Sequence, residues 1–312
     1  MKTKKLLLCF LTAVLCSCGQ GQQVHDDMFA MDTFMSISLS GTNEDAKAVR
    51  KEIYRADNLF KKDSLDLNNE ETASLATFAC EISKAVSGAF DITVSPVCDL
   101  WGFWNNSFRV PEQNEIEEKL KYVDYTRINT DGGHISLPEG FSVDFGGIAK
   151  GYTGDNIKKL LKERNVTSAI ISLGGNIQTV GVKPDGSPWN IGVKDPSGRS
   201  DYVGYISAND CAVVTSGGYE RRFEEEGITY EHIIDPKTGY PAKTDLASVT
   251  VVSECGAAAD ALSTAFYVLG SQGTKSLCEE TGFKIAGHSF SVLLIKRSGE
   301  TETLGDIEFK SR

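Results

Sequence analysis

The stretch that decides both fold and site is His232-Ile233-Ile234-Asp235-Pro236-Lys237-Thr238-Gly239-Tyr240-Pro241, with Ala259-Asp260-Ala261-Leu262-Ser263-Thr264 downstream. On a helix, Asp260, Ser263 and Thr264 lie at i, i+3 and i+4 and therefore share one face. Oxygen-bearing side chains suit a hard cation such as Mg²⁺, which commonly shares its ligands with a phosphate. The spacing predicts a magnesium site on this helix. The alternative for Asp260 is an exposed helix acid without a ligand.

A second candidate site lies upstream, where a predicted strand passes through two glycines into a helix, at Val143-Asp144-Phe145-Gly146-Gly147-Ile148-Ala149-Lys150-Gly151. Glycines let the backbone approach a ligand closely, and the free N–H groups of a helix N-terminus attract phosphate. Lys150 falls in the first helical turn, where the helix dipole disfavours a cation. This placement indicates pairing with a phosphate; a solvated surface lysine is the alternative.

Apolar periodicity predicts helices at residues 45–62, 72–86, 148–164 and 256–269, with a further one at 272–280 and Thr72 as a candidate N-cap. Strand-like runs lie at residues 34–39, 142–145, 169–173, 177–182, 189–193, 212–215, 248–252 and 290–295. Turn signals such as Gly174-Gly175-Asn176 join some of these runs as hairpins. Strands in hairpins interleaved with helices favour an α+β fold with a mainly antiparallel sheet.

Several segments resemble, in order, the motifs of the ApbE family, the FAD:protein FMN transferases. Besides the segments quoted above, they are Met31-Asp32-Thr33, Gly88-Ala89-Phe90-Asp91, Leu100-Trp101-Gly102-Phe103, Leu173-Gly174-Gly175-Asn176-Ile177 and Thr215-Ser216-Gly217-Gly218-Tyr219-Glu220-Arg221. The resemblance covers nearly all of residues 28–312. It implies one FMN transferase domain with an ApbE-like two-layer α+β fold, mainly antiparallel sheets with helices, and a flavin cleft between lobes.

The resemblance implies FAD as substrate and Mg²⁺ as cofactor. The implied FAD contacts are Met31, Ala89, Phe90, Asp91, Asp144, Lys150 and Ile234. The implied metal ligands are Asp260, Thr264 and the Gly147 carbonyl, and Ser263 is a further candidate because it shares their helix face. Asp260, Lys150 and His232 are the candidate catalytic residues, with the general base left open between His232 and a metal-bound contact of Asp260. From the residues alone, a core Phe90 and a structural His232 are the more frequent roles.

Three features depart from the family pattern. Asp32 replaces a glycine, which puts a backbone conformation that needs glycine in question. Ser263 stands where the family often has a carboxylate, which lowers the negative charge at the metal. Residues 60–68 lack the aromatic that contacts flavin in the family, so no binding residue is assigned there.

The N-terminus has the features of a bacterial lipoprotein signal. Three lysines precede the apolar run Leu6–Leu15, which is too short to span a bilayer. In Leu15-Cys16-Ser17-Cys18, Cys18 is the better lipidation site because small Ser17 precedes it. We therefore predict a signal peptide at residues 1–17 and a lipidated Cys18 with a polar tether over residues 18–27; an ordinary cleaved signal is the alternative. The lipid would hold the protein on the bacterial cell membrane, facing the periplasm or the cell exterior.

The charge of the chain argues against nucleic acid and against a polybasic membrane patch. There are 32 basic and 43 acidic residues, a net charge of −11, and removing the three signal lysines makes it −14. A phosphate-bearing ligand therefore needs a metal, a lysine or backbone N–H groups. The remaining cysteines show no C-x-x-C pair, which predicts free thiols rather than a disulfide framework or a zinc site: Cys80, Cys98, Cys211, Cys255 and Cys278.

The resemblance implies Mg²⁺-dependent transfer of the FMN moiety of FAD to a Ser or Thr hydroxyl of a target protein, with release of AMP. The resemblance implies acceptors that carry Asp-x-x-Ser/Thr-Gly-Ala-Ser/Thr, as in Nqr/Rnf-type electron-transfer subunits; this chain contains no such sequence. Two alternatives stay open, an FAD pyrophosphatase in which water replaces the hydroxyl and a non-catalytic FAD-binding lipoprotein.

Overall fold

A computed structural model describes residues 22–104 and 107–312. The helices in this part of the chain are α1 (Asn43–Leu59), α2 (Glu70–Ala85), α3 (Ser95–Trp101), α4 (Gln113–Leu120), α5 (Ala149–Glu163) and α6 (Gly256–Thr281). The strands are β1 (Gln23–Ala30), β2 (Thr33–Ser40), β3 (Ala169–Leu173), β4 (Asn176–Val180), β5 (Trp189–Lys194), β6 (Tyr202–Ala208), β7 (Ala212–Gly217), β8 (Arg222–Glu225), β9 (Ile228–Glu231), β10 (Leu246–Ser253), β11 (Lys284–Ile285), β12 (His288–Lys296), β13 (Thr301–Leu304) and β14 (Phe309–Ser311).

The main sheet has nine strands within the described residues. Its order is β1-β2-β3-β4-β7-β10-β12-β11, with β13 added to β12. Every neighbouring pair in it is antiparallel. A three-stranded sheet, β14-β6-β5, and the hairpin β8-β9 complete the strands. The predicted α+β class with mainly antiparallel sheets is confirmed.

Helices cover one face of the main sheet, and the three-stranded sheet packs on part of the other. Phe266 of α6 shares a core cluster with Val251 of β10 and Leu294 of β12. On the opposite face, Leu293 of β12 packs with Ile206 of β6. Because the central strands are buried on both faces, β10 buries six of its eight residues and β12 has a continuous apolar run at residues 292–295, so neither strand alternates strictly.

Side-chain caps fix where the first two helices begin. Thr42 and Asp45 form a capping box at the start of α1. At α2, the Asn69 side chain accepts hydrogen bonds from the N–H groups of Glu71 and Thr72. Asn69 is therefore the N-cap, and the prediction of Thr72 for that role is wrong because Thr72 already lies inside the helix.

The break predicted between residues 269 and 272 lies at Gly270. Helix α6 continues across it, but Gly270 has φ of 70° and ψ of 179°, which is not helical. The Ser271 N–H donates to Asp245 Oδ1 (2.9 Å), which caps the second part of the helix. The first part, before Gly270, carries the candidate metal ligands Asp260 and Thr264.

Two predicted segments differ in the structure. Residues 23–27, placed in the tether, belong to β1, which pairs with β2 along its whole length. Strand β1 lies at the sheet edge, and its polar residues face solvent between buried Val24 and Met28, so it has the composition of a linker. Residues 142–145 form no strand; they have no regular secondary structure, and the Asp144 N–H donates to the Ile92 carbonyl (2.8 Å).

The five cysteines named above are free, as predicted. Among the described residues, no helix combines the length and the apolar character needed to cross a membrane. The signal peptide and Cys18 lie outside the described residues, so both stay predictions.

Candidate functional site

Helices α5 and α6 approach so closely at their N-termini that only glycine fits between them. A Cβ atom on Gly151 would lie 2.1 Å from the Gly256 carbonyl oxygen and 2.7 Å from the Asp260 Cβ. Asp155 of α5 fixes the crossing, because its carboxylate accepts from the N–H groups of Gly256 (2.7 Å) and Ala257 (3.0 Å). The two segments singled out in the sequence are thereby brought together.

The Asp260 carboxylate connects the two helices. The Gly151 N–H, one of the free donors in the first turn of α5, donates to Asp260 Oδ2 (2.9 Å). Within the described part of the chain, Asp260 Oδ1 accepts no hydrogen bond. The Gly147 carbonyl accepts none either, because the Gly151 N–H, which would be its donor in a continued helix, donates to Asp260 instead. Asp260 Oδ1 on α6 and the Gly147 carbonyl oxygen just before α5 are therefore both free to accept.

The hydroxyls beside Asp260 form a chain. Ser263 Oγ donates to the Asp260 carbonyl (2.8 Å), and Ser216 Oγ lies 2.8 Å from Ser263 Oγ and 3.3 Å from Thr264 Oγ1. Since Ser263 has one proton, Ser216 donates to Ser263, and Thr264 can donate to Ser216. This leaves Thr264 Oγ1 with lone pairs to offer, whereas Ser263 is fully buried and committed within the protein. The part of Ser263 as a metal ligand stays a prediction.

Lys150 lies in the first turn of α5, as predicted. Its Nζ donates to the Gly146 carbonyl (3.2 Å), and no carboxylate of the described residues pairs with it. Asp144 Oδ1 accepts from the Gly146 N–H (2.7 Å) and so shapes the turn that precedes the helix. The charge of Lys150 is thus available to an anion at the helix N-terminus.

The segment Ala89-Phe90-Asp91 is largely buried. A Cβ on Gly147 would lie 3.0 Å from the Phe90 ring, so this ring packs directly on the glycine turn. Asp91 accepts from Thr93 N–H (2.8 Å), Thr93 Oγ1 (2.6 Å) and Tyr125 N–H (3.0 Å). Burial raises the pKa of Asp91, against the effect of these hydrogen bonds. Its carboxylate is engaged in holding the loops, and its contact with FAD stays a prediction.

His232 is held by the backbone of Arg221. Its Nδ1 lies 3.2 Å from the Arg221 carbonyl oxygen, which assigns the proton to Nδ1 and leaves Nε2 as an acceptor. Burial lowers the pKa of His232 to about 4, and the positive charges of Arg221 and Lys150 contribute in the same direction. The imidazole is therefore neutral at physiological pH and lies within the field of Lys150. Ile234, two residues on, is buried and bridges to Pro241.

Met31 and Asp32 form the two-residue turn between β1 and β2. Their φ values are 47° and 58°, so both adopt the left-handed conformation. Aspartate tolerates this region better than most residues, which explains how Asp32 replaces glycine. The Met31 N–H donates to Asp57 Oδ1 (3.0 Å), which helps to fix the turn.

A network that the sequence did not indicate adjoins His232. Glu231 Oε2 accepts from the hydroxyl of Tyr267 (2.7 Å) and from Arg297 (2.8 Å). Burial opposes ionisation of Glu231, but the Arg297 and Tyr267 contacts hold its pKa below the usual value. This network connects the end of β9 to α6. In the sequence, only the position of Tyr267, one helical turn after Thr264, indicated that it lies near the site.

The donor set fits magnesium better than zinc. No group of three or more His, Cys, Asp and Glu that could hold a metal occurs in residues 22–104 and 107–312. The free oxygens are one carboxylate, one hydroxyl and one backbone carbonyl, from Asp260, Thr264 and Gly147. Mg²⁺ is usually bound by one or two carboxylates together with substrate phosphates, so these residues fit the ion.

Comparisons with known proteins find similarity across most of the chain. The ApbE family model matches residues 31–286. The FAD:protein FMN transferase of Haemophilus influenzae is 31% identical over 277 residues, which is 81% of this chain and 80% of that protein. That of Treponema pallidum is 37% identical over 210 residues, 62% of this chain and only 58% of that protein's length.

Solved structures show the same fold. The ApbE protein of Thermotoga maritima has a TM-score of 0.81 at 34% identity, over 90% of this chain and 96% of that one. The apo form of the Pseudomonas stutzeri flavinyl transferase ApbE has a TM-score of 0.77 at 26% identity, over 92% and 96% of the two chains. The chain described here belongs to the ApbE family.

Proposed function

We propose that this protein transfers the FMN moiety of FAD to a Ser or Thr hydroxyl of an acceptor protein in a Mg²⁺-dependent reaction. The curated relatives are named FAD:protein FMN transferases. The observation that carries the proposal is the meeting of Asp260 with the N-terminus of α5, beside the unpaired Lys150. This arrangement offers a carboxylate, free backbone groups and a cation to one pyrophosphate.

In the proposed reaction, the acceptor hydroxyl oxygen attacks the phosphorus on the FMN side of the pyrophosphate. The new P–O bond replaces the bond to AMP, which leaves with the electron pair of that bond. Asp260, Thr264 and the Gly147 carbonyl would hold Mg²⁺, which when bound neutralises charge on the pyrophosphate. Lys150 would bind the same anion, and the protein would act mainly by positioning and electrostatics.

His232 is the proposed general base. Burial lowers the pKa of the ring to about 4 and keeps it neutral, and its Nδ1–H donates to the Arg221 carbonyl, so Nε2 has the free lone pair that can accept the hydroxyl proton. Met31, Ala89, Phe90, Asp91, Asp144 and Ile234 are the proposed FAD contacts.

We further propose that Cys18 carries a lipid and holds the protein on the outer side of the bacterial cell membrane. The proposed acceptors carry Asp-x-x-Ser/Thr-Gly-Ala-Ser/Thr, as in Nqr/Rnf-type subunits of membrane electron-transfer complexes. The lipobox-like sequence and the resemblance support this proposal. Metabolic labelling with a fatty acid tests it, since a Cys18→Ser variant should lose the label.

The activity is tested by mixing protein that lacks residues 1–17 with FAD, Mg²⁺ and a peptide bearing Asp-x-x-Thr-Gly-Ala-Thr. A gain in peptide mass equal to FMN, with release of AMP, is the expected result. Free FMN and AMP without a mass gain would instead identify a pyrophosphatase, and intact bound FAD would identify a carrier.

A further inference from the structure

An open cavity of about 420 Å³ adjoins the candidate base. Phe103, Trp104 and Phe108 line it together with Arg221 and Arg222. The Phe103 ring lies 6.4 Å from the His232 ring, centroid to centroid. Arg221 is the residue whose carbonyl holds His232. The cavity therefore lies next to the place where the acceptor proton would be taken.

The cavity has an aromatic rim that stays exposed. Trp104 is 45% exposed and Phe108 is 42% exposed. The β1–β2 turn reaches the same cavity through Asp32, and the hairpin carries Phe29 and Phe34, 57% and 81% exposed. Single exposed aromatic residues are common, but Trp104 and Phe108 line one cavity beside this hairpin, and such a cluster marks a surface for binding a partner.

The two arginines of the cavity have no carboxylate partner among the described residues, although the chain has a net charge of −11. The Arg221 guanidinium lies 5.1 Å from the Trp104 ring centroid. Stacking of this kind holds the guanidinium flat and leaves its N–H edge free for a carboxylate. Two acids also line the cavity, Glu220, which pairs with Lys194 (3.3 Å), and Asp32.

We propose that this cavity binds the acceptor polypeptide and that Arg222, with Arg221 beside it, binds an acidic side chain of the acceptor close to the modified hydroxyl. The proposal deepens the proposed function and rests on it. In the proposed function the pyrophosphate is bound by Lys150 and the α5 N-terminus, so the two cavity arginines, which have no carboxylate partner in the described residues, are available to a different anion. An acidic segment entering here would bring its hydroxyl to Nε2 of His232.

The test compares two acceptor peptides, one with Asp-x-x-Thr-Gly-Ala-Thr and one with Asn in place of Asp. With the Asp peptide, we expect Arg222→Ala to raise KM about fivefold and Trp104→Ala about tenfold. With the Asn peptide, Arg222→Ala should change KM little, because the partner charge is already gone. A Lys peptide should be used better by Arg222→Glu than by the wild type.

The matched controls are Arg199, in the connection between β5 and β6, and Tyr202, at the start of β6, because neither lines this cavity. Arg199 is an exposed arginine whose side chain contacts Ser197, and Tyr202 is an aromatic residue that is 42% exposed. Arg199→Glu and Tyr202→Ala should leave both peptides with wild-type KM. The dissociation constant for FAD is measured for every variant by flavin fluorescence.

Each outcome decides the proposal. Equal KM values for wild type and Arg222→Ala with the Asp peptide would overturn it. Weaker FAD binding by Trp104→Ala, with unchanged peptide KM, would assign the cavity to flavin instead. If the wild type transfers no FMN, the proposed function fails, but fluorescence polarisation of the labelled peptides still tests the cavity directly. Equal binding of Asp and Asn peptides there would sink the docking proposal on its own.

Discussion

The contact between α5 and α6 predicts that Gly151→Ala destabilises the protein. The new Cβ would lie 2.1 Å from the Gly256 carbonyl oxygen, more than about 1 Å inside normal contact, so the helices must separate. Overpacking of this kind costs about 1–3 kcal/mol, whereas the better helix propensity of alanine returns about 1 kcal/mol. Because the clash is with backbone and very close, the cost lies at the upper end of that range, and we expect a net loss of about 2 kcal/mol and a fall in Tm of about 3 °C.

Thermal unfolding followed by circular dichroism measures this effect, and Gly154→Ala is the matched control. Gly154 lies in the same helix, and the atoms nearest to its added Cβ all belong to the Gln178 side chain, at 3.3 Å or more. Gly154→Ala should therefore melt at or slightly above the wild-type temperature. A Gly151→Ala protein that melts as high as Gly154→Ala would refute the reasoning.

Three further predictions concern the site. Asp260→Asn should lower FMN transfer at least about 100-fold, because it removes the carboxylate charge offered to Mg²⁺, yet keep the fold since the amide oxygen can still accept from Gly151; unchanged transfer in the mass assay would contradict the metal site. The pKa of His232 is lowered from 6.5 to about 4, so the unfolded chain binds this proton more readily, and stability should fall as the pH drops from 6.5 towards 4. His232→Gln should flatten that part of the denaturation profile, while a slope identical to wild type would exclude the residue. Asp155→Ala should cost about 1–2 kcal/mol in urea unfolding because α6 loses its N-terminal cap; a wild-type midpoint would show that water replaces the cap.

Elements with one strong apolar repeat were predictable from the sequence, and those with weak repeats were not. Helix α1 buries a regular stripe that includes Val49 and Ile53, and its periodicity gave the prediction. Helix α4 buries only Ile116, so it offers no stripe to find. The hairpin β8–β9 is mostly exposed and half of its residues are charged, so it shows no apolar repeat; Glu231 at its end is held by the distant Arg297.

The candidate site shows the same limit. The shared face of Asp260 and Thr264 follows from helical spacing alone, because both belong to one helix. The donor to Asp260 comes from Gly151, 109 residues earlier, and nothing local in the sequence pairs the two. The hydrogen bond that Ser263 Oγ accepts likewise comes from Ser216 of β7, which is distant in the sequence. Local pattern therefore predicts which side chains share a face, whereas the fold decides which of them are free.

The early start of β1 sets how far an anchored enzyme can work from the lipid. The sheet begins at Gln23, so four residues separate it from Cys18. A fully extended chain over that interval spans at most about 18 Å. With a lipid on Cys18, this short tether would confine the domain to a thin layer next to the membrane surface. Acceptor hydroxyls at that height would meet the enzyme by lateral diffusion in two dimensions, and those held far above the bilayer would stay out of reach.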